Sequence, residues 1–204
     1  LKPPRDSIIE ASAPSMESFV AYQNAPDAAS LYALTLHQPW AWAVCHAGRD
    51  LENRDWRPPP YIAHQTIALH AGKRWGRQEK LDASALSCKL HPEYEVPLGS
   101  ERYVFGAIVA VAKVVGFVDT DLRSDRGPYS FEMQTSRGYV VVGGQIHPDS
   151  VERAVSSRWF TGPCAWLLND IRTLKAPVEV RGYQKVWTVP SSTALEVVSQ
   201  VGVT

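Results

Sequence analysis

The sequence predicts an α+β domain built on a small β-barrel, and three observations carry that reading. Short segments with strand-like alternation recur along the chain. Two or three helix-length segments with start and stop signals lie between them. One long Val/Ile-rich run, YVFGAIVAVAKVVGFVD, is rich in the β-branched residues that suit a buried strand. At least five or six short strands with two or three helices suit a small barrel better than a doubly wound sheet. No internal repeat is present.

Residues 1–30 are rich in Pro, Ser and Ala without sustained periodicity, so they read as a flexible tail with a short helix around Met16–Gln23. Order begins at Leu31. In LYALTLH, Leu34 and Leu36 alternate with Thr35 and His37, the period of a half-buried strand. In PWAWAVCHAG, Pro39 stands where a helix can start without losing a needed N–H, and Gly48 where one can end. LENRDW reads as a strand broken by Pro58–Pro60, and TIALHA as another, with Ile67 and Leu69 on one face and His70 on the other.

A polar stretch with scattered Leu and Ala predicts a helix from about Trp75 to Leu86, then a loop around His91–Pro97. Residues 119–137 read as a loop insertion, GYVVVGG as a short strand, and DSVERAVSS as a helix capped by Asp149. CAWLLNDIRTL and VRGYQKVWTVP are expected to be the last two strands, with Trp166 and Trp187 in the core. The C-terminal tail, 191–204, forms a short helix or stays loose. The domain is thus expected to span residues 31–190.

Composition narrows the function. Lys plus Arg equals Asp plus Glu, 21 against 21. Such a chain is no bulk electrostatic DNA binder, and any nucleic acid must be held by a local patch or pocket. The three cysteines, Cys45, Cys88 and Cys164, form neither a CxxC nor a Cys/His cluster, so no metal and no disulfide framework is expected. No apolar run approaches the ~20 residues that span a bilayer, and the first residues lack a signal-like apolar core. A cytoplasmic location follows as the expectation. No Walker loop, GxSxG or HExxH motif is present, and no cofactor is expected.

The stretch Leu34–Trp56, LTLHQPWAWAVCHAGRDLENRDW, resembles the opening of ASCH domains, relatives of the PUA-type RNA-binding barrels. Those domains show an apolar strand, QPW, a short helix and a G-x-K-x-x-E-x-R signature. Here the signature falls on Ala47, Arg49, Glu52 and Arg54, two positions departing and two matching. IALHAGK, SRWFTGPCAWLL and RGYQKVW resemble later landmarks, and the likeness covers about residues 31–190. It implies a PUA-like barrel with a cleft beside the first helix that holds RNA, another single-stranded nucleic acid or a modified nucleoside. Some relatives are hydrolases of modified cytidine, using the signature Lys and a Thr at the Glu position. Here those positions hold Arg49 and Glu52, and an arginine cannot shed its proton to act as a base.

Read for themselves, the residues offer two neighbourhoods. Glu52, Arg54 and Trp56 would share one strand face, with Asn53 and Trp40 near. They either wall a polar cleft against a base or brace the barrel mouth. His37 and Gln38 meet the helix N-terminus, where they either face a phosphate or, for Gln38, cap the helix. His70 and Lys73, with Arg74 and Trp75, form the densest basic–aromatic cluster, which suits single-stranded nucleic acid. Trp159, beside Arg158 and Phe160, either rims a pocket or staples a loop. Three functions compete: a nucleic-acid or modified-nucleotide binding module, a ribonuclease or amidohydrolase with Glu52 or His70 as base, and a protein adaptor.

Overall fold

A computed structural model describes residues 30–122, 130–144 and 146–201. The helix expected around Met16–Gln23 lies outside the described residues. The elements, in order, are β1 (Tyr32–Leu36), α1 (Trp40–His46), β2 (Leu51–Arg54), β3 (Thr66–Ala71), α2 (Arg77–Lys89), β4 (Ala107–Asp119), β5 (Ser130–Thr135), β6 (Gly138–Gly143), α3 (Pro148–Ser156), β7 (Cys164–Glu179), β8 (Val186–Thr188) and α4 (Ser191–Val201). This is an α+β fold.

All eight strands join one mixed sheet in the order β2-β7-β4-β3-β1-β8, with β6 pairing β4 and β5 pairing β6. Only β1 and β3 run parallel among these pairs. β4 is the spine: β7 follows it from Ala107 to Asp119, while β3 and then β6 share its opposite edge. Three register shifts interrupt the β4–β7 ladder, and such bulges bend a strand pair and increase its twist. The sheet curls until Arg54 of β2 donates to the Thr35 carbonyl of β1 at 2.7 Å. A side chain thus bridges the seam that no strand pairing closes.

The core fills both faces of the sheet. Leu34, Leu36, Ile67, Leu69 and Trp166 pack inside the curl. Leu51, Val118, Val142, Val151 and Trp159 form a second cluster with α1 and α3. Ala33, Ala68, Ile108, Leu174 and Val197 form a third under α4. β3 and β4 are therefore covered on both sides, which is why their sequences run apolar instead of alternating.

Several expectations need correction. Residues 119–137 hold β5, an exposed strand hairpinned to β6, not only a loop. Its six residues keep just Phe131 and Met133 as an apolar alternation, with Phe131 45% exposed. α3 is capped by His147, whose Nδ1 accepts from Asp149 N, while Asp149 sits in the first turn. The segment after Cys164 continues through Pro177 as one strand to Glu179, and VRGYQKVWTVP contributes only Val186–Thr188. Pro177 is tolerated because it falls in the register shift between Thr173 and Val178, where β7 has no residue-for-residue partner on β4 that needs its N–H. Beyond it, α4 satisfies the bulged backbone: Gln200 accepts from Ala176 N and donates to Ala176 O. The packed body therefore runs through Val201, past Pro190.

A candidate base-binding cleft

A cavity of about 280 Å³ opens between α2 on one side and the α1–β2 connection on the other. The α2 wall is a single helical stripe, Asp82, Ala85, Leu86 and Lys89, at the i, i+3, i+4, i+7 spacing that places residues on one face. Trp40, Arg49, Glu52 and Asn53 form the facing wall, and Arg158, Trp159 and Thr161 close one end.

Local backbone chemistry positions Arg49. Gly48 takes a φ of 64° just past α1, so the chain turns sharply and Arg49 N returns to the Ala43 carbonyl at 3.2 Å. The side chain is then carried inward, 3% exposed, with its guanidinium 5.0 Å from the Trp40 ring centroid. Arg49 donates to Glu52 Oε2 at 2.7 Å, and Glu52 Oε1 lies 3.0 Å from Arg54 Nε. A buried carboxylate is thus clamped between two guanidinium groups, the arrangement that lets charge leave water at tolerable cost. Arg49 Nε and Arg54 Nε are buried without a hydrogen-bond partner, so Glu52 and Arg54 meet as an ion pair and not through a hydrogen bond.

Asn53 and Trp159 join at the end of the cleft. Asn53 Nδ2 donates to the Trp159 carbonyl at 2.7 Å, and Asn53 Oδ1 accepts from Thr161 N at 3.0 Å. The amide is therefore spent on fixing this loop. Trp159 is 9% exposed, so it borders the cavity and belongs to the core at once.

Other expected site residues stand elsewhere. Gln38 is 2% exposed: its Oε1 accepts from Trp42 N in the first turn of α1 and its Nε2 donates to the Val104 carbonyl, so it is a cap and no ligand contact. Trp56 lies beyond the end of β2, edge-on to Trp166 at 4.7 Å, and does not line the cavity. His70 is 2% exposed in the core, with Nε2 3.1 Å from the Val180 carbonyl and its ring against Trp187. Burial lowers its pKa, the nearby Lys73 charge adds to this, and the backbone acceptors at Val180 and Gly106 oppose it. His70 therefore cannot be the cleft's base. His37 and Lys73 are exposed. Arg74 pairs with Glu79, which also caps α2 through Gly76 N, and Trp75 stacks with Tyr103.

The α2 stripe was not among the expected site residues, nor was Arg158 as a lining cation. A larger open concavity is lined by Thr120, Asp121, Leu122 and Pro163. Among the described residues no cluster of His, Cys, Asp or Glu could hold a metal ion, and no helix is long and apolar enough to cross a membrane. Burial and the Asp119 charge push the Cys164 thiol up to about 12.

No family model and no curated protein matches this chain. Among solved structures it is similar to ASCH from Zymomonas mobilis, at 13% identity over 82% of this chain and 93% of that one, with a TM-score of 0.40. Two single-substitution variants of that protein are similar at 13% and 14% identity, covering 82% of this chain and 94% and 96% of theirs, each with a TM-score of 0.40.

Proposed function

We propose that the chain is a binding module that holds one base of a nucleic acid, or a modified nucleoside, in the cleft between α2 and the α1–β2 connection. The observation that carries this reading is the buried Arg49, paired with Glu52 beneath the Trp40 ring, at the wall of a cavity of about 280 Å³. That volume falls at the lower edge of the ~300–1,000 Å³ of typical small-molecule sites. It suits a single base far better than a folded oligonucleotide. An indole offers a stacking surface, and the guanidinium–carboxylate pair offers donors and acceptors to a base edge. The motif resemblance to ASCH domains points the same way.

Binding is favoured over hydrolysis by what the candidate bases already do. Both Glu52 oxygens are engaged by guanidinium groups, and His70 faces Val180 away from the cavity lining. A guanidinium group is no general base.

A thermal-shift screen of ordinary and modified nucleosides tests the reading. A cognate ligand raises the melting temperature as the logarithm of its concentration over its Kd. A parallel chromatographic assay on acylated cytidines and short RNAs is expected to show no turnover. Robust turnover lost in Glu52→Ala, with folding and affinity kept, would make this an enzyme.

A further inference from the structure

The cleft leaves His37 and Lys73 unused, and it does not touch the loop between β7 and β8. That loop carries an exposed aromatic on a rigid mount. The Tyr183 ring is 53% exposed, with the Arg181 guanidinium 5.4 Å from its centroid and Trp187 edge-on at 5.6 Å. Thr35 Oγ1 donates to the Tyr183 carbonyl at 2.8 Å, fixing the backbone to β1. Gly182 lies so tightly on His70 that a Cβ there would overlap the imidazole. The loop is therefore bolted to the core while its tyrosine faces water.

Arg181 lies over this ring, and Arg181, Lys185 and Lys73 are all exposed. Lys73 lies across Gly106, whose carbonyl accepts from Val180 N, so it borders the start of the loop. His37 reaches Gly72 beside Thr35. Glu179 is the one acid between Asp170 and Glu196. The face is linked to the cleft by three contacts in series. Glu52 meets Arg54, Arg54 donates to Thr35 O, and Thr35 donates to Tyr183 O.

We propose that this face is a second nucleotide subsite, a stacking platform on Tyr183 flanked by phosphate-binding cations, so that the ligand is a single-stranded oligonucleotide. Placing one base in the cleft and a following base on Tyr183 rests on the base-binding reading of the cleft. An exposed ring with flanking cations is the equipment that holds single strands without base readout. A mount that needs no reordering keeps the entropic cost of binding low. Arg54, with its side chain 22% exposed, is the middle link of that series, between Glu52 and Thr35.

The test is equilibrium binding of fluorescein-labelled ribohomohexamers, and separately of free nucleosides, to the whole chain. Tyr183→Ala is expected to weaken the tightest hexamer by about tenfold or more and to leave nucleoside affinity unchanged. Tyr183→Phe, which keeps the ring, is expected to bind the hexamer like the wild type. Replacing Arg181 and Lys185 together by Ala is expected to flatten the salt slope by about 1.4, two contacts' worth. This second variant also guards against a folding defect in the first. Unchanged hexamer affinity in Tyr183→Ala overturns the platform and leaves the cleft standing. Tyr183-dependent hexamer binding without any nucleoside binding supports the platform and sinks the cleft. Preference for polyglutamate over every hexamer, or no binding of either, overturns the proposal.

Discussion

Of the arginines that sit over aromatic rings, Arg49 and Arg181 have opposite settings. Arg49 lies 5.0 Å from the Trp40 centroid, 3% exposed and paired with Glu52. Arg181 lies 5.4 Å from the Tyr183 centroid, exposed, on a ring that is itself 53% exposed. The geometry is nearly shared, but such a contact is worth ~0.5–1 kcal/mol in water and ~2 or more when desolvated. The buried pair should matter to folding and to recognition of a base edge. The exposed pair costs the fold little to lose and keeps its charge free for phosphates. Mutations should separate the two regions sharply.

The largest effect is expected at Glu52. Glu52→Ala leaves the Arg49 and Arg54 guanidinium groups without their shared counter-charge, which costs about 3–5 kcal/mol when a buried pair is broken. Chemical denaturation should register it, and a loss below 1 kcal/mol would remove the clamp from the account. Asn53→Ala should cost less, about 1–3 kcal/mol, because two loop backbone groups lose a partner. That loss should come with a more open cleft end, read as faster amide exchange at residues 159–161.

A pH titration tests the burial of His70. Its folded-state pKa is lowered from 6.5 by burial, so the neutral form is favoured in the native state. Its contribution is present above pH 6.5 and is lost as pH falls below that value. The melting temperature should drop from pH 7 to pH 5, and His70→Gln should flatten that drop. The smallest effect on stability is expected at Tyr183→Ala, within ~0.5 kcal/mol. A larger loss would mean that the ring braces the loop.

The difference between the regions also explains what could be read from sequence. Alternation placed β1, and Pro39 and Gly48 bounded α1. The same period put Glu52 beside Arg54, and they do pair. Local rules suffice there because the interacting residues are near in sequence. His70 escaped them because β3 is covered on both faces, so a polar residue in its alternation faces the interior instead of water. The α2 wall escaped them because its helix is polar almost all round, and only tertiary packing selects the face that meets the cleft. Tyr183 looked like part of a strand. Its exposure follows from Gly182 seating the loop on His70, a contact between residues more than a hundred positions apart.

The central claim is that the enclosed cleft recognises a base through paired charges and an indole, without needing phosphate. Calorimetric titration of free nucleosides, ordinary and modified, into wild type and Trp40→Ala at low and high salt tests it directly. The account predicts that at least one nucleoside binds the wild type one to one, with affinity nearly independent of salt, and that Trp40→Ala loses it while remaining folded. If no nucleoside binds, or if Trp40→Ala binds as tightly as the wild type, the cleft is not a base site.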